Sequence, residues 1–227
     1  MTATESMQEY LAEAYRIACY QPETPFVSTS ALADELNVSA PAVTRMVQRL
    51  KHAGFLEHEP YRGIRLTAAG EREALANIRR HRLVERFLVD VMGFGWHEVH
   101  DDADDLGLVV SDILVDKMDE MSGYPKRCPH GEPIPSADGI MPTVIDYPLS
   151  EVEVNRDYVI SRVHSHDEHK LRYFSELQIE PGKKFRLVMR APFKGPLQLL
   201  VDGQTHFLGY ELAGTLRVCS QEEYLLV

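Results

Sequence analysis

Long apolar runs are missing from this chain of 227 residues. No stretch of 18 consecutive apolar residues occurs, so no segment reads as a membrane span. The opening MTATESMQEY lacks the basic start and apolar core of a secretory signal, and a cytoplasmic location is expected. Cysteine is scarce. Cys19, Cys128 and Cys219 are odd in number and far apart, which excludes a disulfide framework and fits a reducing compartment. No internal repeat is present. HExxH and the common nucleophile motifs are absent as well, which counts against a metallohydrolase. Positive charge is short too: 24 Lys and Arg face 35 Asp and Glu, a formal net charge of -11. Taken alone, that balance disfavours binding to phosphate.

The charge is unevenly placed. Between Glu98 and Glu120 stand Asp101, Asp102, Asp104, Asp105, Asp112, Asp116 and Asp119. From Arg45 to Arg72 stand Arg45, Arg49, Lys51, Arg62, Arg65 and Arg72. A basic segment can face a nucleic acid within an acidic chain. The acidic block reads either as a solvated helix face or as part of a cation site.

Periodicity predicts an α+β chain. A first helix spans about Ser6 to Tyr20, with Ser6 and Glu9 spaced as a capping box and QPETP ending it. A short helix capped by Thr29 or Ser30 runs to Leu36. After a turn at Asn37-Val38, Ser39 caps a second helix with Pro41 in its first turn. Val43, Val47 and Leu50 form its apolar stripe, and Gly54 stops it. Phe55–His58 and Ile64–Thr67 read as strands around a hairpin at 59–63. Helix, turn, helix and hairpin make a winged helix-turn-helix.

A long helix from about Ala69 to Met92 follows, broken by Gly93 and Gly95. Another is expected from Asp101 to Met121, with Leu106, Val110, Ile113, Leu114 and Met118 on one side and Val109 widening the stripe. So wide an apolar face suits a partner helix in a homodimer. Six prolines between Pro125 and Pro148 suggest a linker. Beyond Val152, five short strand-like runs and a helical turn near 169–177 fit a small SH3-like β-barrel.

In a winged helix the second helix enters the major groove. Its outward positions here are Ser39, Pro41, Ala42, Thr44, Arg45 and Arg49. Arg45 can pair with guanine O6 and N7, Ser39 and Thr44 are short donors, and Pro41 and Ala42 can touch a thymine methyl. Arg62 at the hairpin tip is placed for a phosphate or the minor groove.

His81 and Glu85 lie one helical turn apart, and so do His100 and Asp104. Two imidazoles with two carboxylates suit a first-row divalent cation. Asp101 and Asp102 read as helix N-terminal charge. Cys128 and His130 in CPHGEPIP have no third ligand near in sequence and read as linker structure.

These segments resemble the diphtheria toxin repressor family of iron- and manganese-dependent regulators. VSAPAVTRMVQRLKHAGFLEHEPYRGIRLTAAGE, RRHRLVERFLVDVMG, EVHDDADDLGLVVSD, CPHGEPIP and ELQIEPGKKFRLVMRAPFKGPLQL support the likeness. VTRMVQRL and EPYRGI are similar to the manganese transport regulator branch. The resemblance implies a DNA-binding domain over 1–72, a helical dimerisation and metal domain over 73–124, a Pro-rich linker over 125–151 and an SH3-like domain over 152–227. It implies a dimer on double-stranded operator DNA, with no membrane partner. It also implies that His81, Glu85 and His100 ligate one ion, helped by the stretch holding His166, Asp167 and Glu168. Lys170 departs from the amide ligand expected there. A second site would use Glu9 and Asp104, but Gly107 and Leu108 replace its usual Glu-His pair. Two hard carboxylates favour Mn²⁺, with Fe²⁺ the alternative. A winged-helix sensor of an organic ligand remains the competing class.

Overall fold

The computed structural model describes residues 3–21 and 23–226. Pro22, within the expected QPETP break, lies outside them, as does the side chain of Leu108. The chain forms two units, one reaching to Arg80 together with Pro135–Ile140, the other covering His81–Ile134 and the remainder from Met141. No helix among the described residues is long and apolar enough to cross a membrane.

The first unit holds α1 (Glu5–Cys19), α2 (Thr29–Glu35), α3 (Ala40–His52), β1 (Leu56–Glu59), β2 (Gly63–Leu66) and the start of α4 (Ala68–Asp90). Its core is built by Leu11 and Ala14 of α1, Leu32 of α2, Val43, Met46, Val47 and Leu50 of α3, and Ile64 of β2. The α3 stripe is the expected one plus Met46. The strands pair antiparallel, Leu56 opposite Leu66 and Glu59 opposite Gly63. Val27 bridges to Ile64, so the wing has a third edge. Two caps differ from expectation. α1 begins at Glu5 behind Thr4, so the Ser6–Glu9 capping box does not form. The cap of α2 is Ser28, whose hydroxyl accepts from the Ala31 N–H at 3.1 Å. Ser39 does occupy the N-cap of α3, without a side-chain bond to the backbone.

The second unit takes the rest of α4, then α5 (His100–Val109) and α6 (Asp112–Met121). The single helix expected over 101–121 is therefore two. Val110 turns to extended backbone, and Ser111 sits at the N-cap of α6. Consecutive β-branched Val109 and Val110 weaken a helix at that point. The sheet comprises β3 (Tyr147–Pro148), β4 (Arg156–Val163), β5 (Lys184–Arg190), β6 (Leu197–Val201), β7 (Gln204–Leu208) and β8 (Leu216–Cys219). The short helices α7 (Glu168–Glu176), α8 (Tyr210–Ala213) and α9 (Gln221–Tyr224) interrupt it. The strand order is β3-β8-β4-β5-β6-β7, antiparallel throughout. Among the described residues no ladder joins β3 to β7, so the sheet is SH3-like without the barrel closure that was expected. β3 falls inside the segment read as linker. Phe174, Ile160, Leu187, Leu199 and Leu216 centre the core beneath the sheet.

Candidate metal centre and nucleic-acid interface

Four local devices place the polar side chains of the second unit. One turn of α4 sets His81 and Glu85 on the same face. One turn of α5 does the same for His100, its first residue, and Asp104. The loop after β4 delivers His166. The fourth device is the CPHG turn, where the Gly131 N–H donates to Cys128 O (2.9 Å) and the Val163 N–H of β4 donates to His130 O (2.9 Å). Gly131 has φ of 88° and packs so closely on β4 that a Cβ would lie 2.1 Å from Ser161 O. Only glycine permits that approach, and it aims Cys128 and His130 inward.

The Glu85 carboxylate is the hub, with 2% of its surface exposed. Its Oε1 lies 3.0 Å from His81 Nε2, 3.3 Å from His100 Nδ1 and 3.2 Å from His130 Nδ1. Burial would raise the Glu85 pKa, but the charges of His81 and His130 and the hydrogen bonds from His100 and His130 outweigh it and hold the group well below its usual range. For His130, burial works against the proton, yet the neighbouring Glu85 raises the pKa. Burial and the Glu85 charge push the Cys128 thiol well up. Asp104 closes the outer side, its Oδ1 2.9 Å from His81 Nδ1 and its Oδ2 3.6 Å from His100 Nε2. His166 Nδ1 is 3.1 Å from His100 Nδ1, one ring donating and the other accepting.

Two sets of potential ligand atoms result, each within 4.8 Å of one another: His81, His100 and Asp104, and Glu85, Cys128 and His130. Nitrogen and carboxylate donors suit Mn²⁺ and Fe²⁺, and the thiol adds a softer donor. Imidazole nitrogens and carboxylate oxygens held this close around one buried carboxylate are a donor set that fits a divalent cation.

Of the expected ligands, His81, Glu85, His100, Asp104 and His166 come together. Asp167 and Glu168 do not join them. The Asp167 Oδ1 caps α7, accepting from the N–H groups of His169 (2.9 Å) and Lys170 (3.2 Å), and Glu168 pairs with Arg172. Glu9 is exposed on α1 of the first unit, and the resemblance alone speaks for it. Gly107 lies in α5 with open space where a side chain would stand. Cys128 and His130 look like a metal pair in the sequence but read there as linker structure for want of a third ligand nearby, and the structure sets them beside Glu85. Their partner Glu85 is 43 residues from Cys128 in the chain, so the signal in the sequence was the Cys-x-His spacing alone.

On the first unit, Ser39, Pro41, Thr44, Arg45 and Arg49 are exposed along α3, and Ala42 is half-buried. Among the described residues Arg45 and Arg49 have no ion-pair partner. Thr44 is less available than expected, because its hydroxyl donates to Ala40 O at 3.0 Å. Arg62 is also engaged. It pairs with Glu59 at 2.7 Å and stacks over the Phe26 ring at 4.0 Å.

A winged helix in one unit and a buried imidazole, carboxylate and thiol cluster in the other are the parts of a metal-responsive DNA-binding regulator. Residues 2–64 match the iron dependent repressor N-terminal DNA binding domain, 67–136 its metal binding and dimerisation domain, and 147–219 the FeoA domain, an SH3-like module. A solved structure titled "Manganese-dependent transcriptional repressor complex with manganese" is 36% identical, with a TM-score of 0.84, covering 94% of this chain and 99% of that one. The diphtheria toxin repressor of Corynebacterium glutamicum is 28% identical over 82% of this chain and 85% of its own length. The iron-dependent repressor IdeR of Mycobacterium leprae is 38% identical over 104 residues, 46% of this chain and 45% of that protein. The chain belongs to the iron-dependent repressor family, which consists of metal-dependent DNA-binding transcriptional repressors and not of enzymes.

Proposed function

We propose that the chain is a cytoplasmic, homodimeric repressor that binds operator DNA when Mn²⁺ is available and governs metal-uptake genes. DNA binding is assigned to 1–72, dimerisation and metal binding to 73–124, connection to 125–151 and the SH3-like module to 152–227. The observation that supports a metal switch best is the Glu85 hub, where three imidazoles converge on one buried carboxylate oxygen. His81, His100 and Asp104 would hold one ion, and Glu85, Cys128 and His130 a second. His166 would add a donor to the first.

A bound cation would supply positive charge and coordination bonds to the imidazoles that gather on Glu85. His81 and His100 would then keep α4 and α5 at one separation, and His130 would tie the CPHG turn to them. Fixing those elements biases a pre-existing equilibrium toward the form that binds DNA. In that form two recognition helices reach successive major grooves, roughly 34 Å apart. By linkage, DNA tightens metal binding by the same factor, typically about 5–150-fold.

Fe²⁺ is the second reading, favoured by the sulfur of Cys128 in the second set. Equilibrium dialysis with each ion, followed by operator binding before and after chelation, distinguishes the two. His81→Ala is expected to abolish metal-stimulated binding while the circular dichroism spectrum is kept. Equal operator affinity in exhaustively chelated protein would overturn the proposal.

A further inference from the structure

In the wing of the first unit the charges cancel at home. Arg62 pairs with Glu59 at 2.7 Å, and Arg65 pairs with Glu57 at 2.5 Å. Phe26 draws both guanidinium groups toward the base of the hairpin, at 4.0 and 5.4 Å from its ring. Neither arginine is held out from the tip. Tyr61 is. It is fully exposed.

Its backbone is unusual as well. The Arg62 N–H donates to Glu59 O at 3.2 Å, so Pro60 and Tyr61 are the central residues of the turn. Tyr61 has φ of 67°, at a position that normally takes glycine or asparagine. A bulky aromatic there is strained, and no burial within the fold repays it, since the side chain is fully exposed. The base of the hairpin is rigid by contrast. Val27 and Ile64 exchange two hydrogen bonds of 2.8 Å. A strained, exposed aromatic on a fixed arm is the arrangement of a contact residue.

We infer that Tyr61 is the contact residue of the wing for DNA, an uncharged one that packs its ring on a backbone sugar and gives its hydroxyl to a phosphate. The inference rests on the reading of the chain as a DNA-binding repressor. It makes the wing a positioning element that carries no sequence information, and it assigns base reading to α3 alone. It also replaces Arg62, the tip residue expected from sequence.

The test uses full-length protein with Mn²⁺ and an operator duplex that the unaltered protein has selected from a random pool. Tyr61→Gly relieves the turn, so its thermal midpoint is expected to equal or exceed that of the unaltered protein. Its operator affinity should nevertheless fall about three- to tenfold for each of the two wings of the dimer, so roughly ten- to a hundredfold in all, the usual effect of one hydrogen bond with its packing at each wing. Tyr61→Phe should lose part of that. Because no charge is removed, the slope of log affinity against log salt should stay unchanged, and binding to random duplex should weaken by a similar factor. In parallel, Arg49→Ala should lower the slope by about 2, about 1 for each subunit of the dimer. Tyr61→Gly binding as tightly as the unaltered protein would overturn the inference alone. Unaltered protein that selects no duplex would overturn the repressor reading with it.

Discussion

At the scale of single residues, the most consequential polar group outside the metal cluster is Asp146. It lies in the segment that reads as linker, yet it is buried among Arg162 (2.7 Å), Arg217 (2.5 Å) and the hydroxyl of Ser161 (2.9 Å). Burial raises its pKa, and the hydrogen bonds and charges of the two arginines outweigh that and lower it. A carboxylate with a depressed folded pKa adds stability above its unfolded pKa of about 3.9 and loses it as pH falls through the folded value. Asp146→Asn is therefore expected to destabilise the second unit by about 3 kcal/mol at neutral pH. The difference should shrink as both proteins are taken into acid. Melting curves between neutral pH and pH 3 check this, and a difference independent of pH would refute the assignment. Asp146 was invisible in the sequence because both arginines come from strands further along the chain.

At the scale of elements, the wing and the recognition helix were legible and the hinge between α5 and α6 was not. The apolar spacing of Val43, Val47 and Leu50 is local information, and Asn37 and Gly54 mark turns by their positive φ of 50° and 79°. The wing depends on one glycine that no pattern singles out. At Gly63, φ is 114° and a Cβ would stand 2.2 Å from Val27 O. Gly63→Ala should push Val27 off Ile64 and cost the first unit about 2 kcal/mol. Operator affinity should fall with it. Hydrogen exchange at the Val27 and Ile64 amides reports the loss, and unchanged protection would show that the clamp is dispensable.

At the scale of the molecule, α5 and α6 present apolar side chains that the chain itself leaves open. Val109 is 79% exposed and Ile113 82%, with Leu106 and Leu114 near them. Patches of this kind mark association surfaces, and this one lies within the matched metal binding and dimerisation domain. Ile113→Asp is expected to turn a dimer into a monomer in sedimentation experiments. It should lower operator affinity at least tenfold, because two half-sites no longer act together. A variant that remains dimeric would place the interface elsewhere.

The sequence by itself determined the winged helix, the α+β order of domains and the two His–carboxylate pairs, because each rests on spacing within one element. It also showed a block of acids without saying which of them matter. Tertiary structure decided which groups meet. It brought Cys128 and His130 to Glu85 through the close approach of Gly131 to β4, and it drew Asp167 away into a helix cap. It also neutralised the wing arginines and left Tyr61 bare. Side chains far apart in sequence meet only when backbones pack, and that packing is a property of the folded chain, outside any local window of residues.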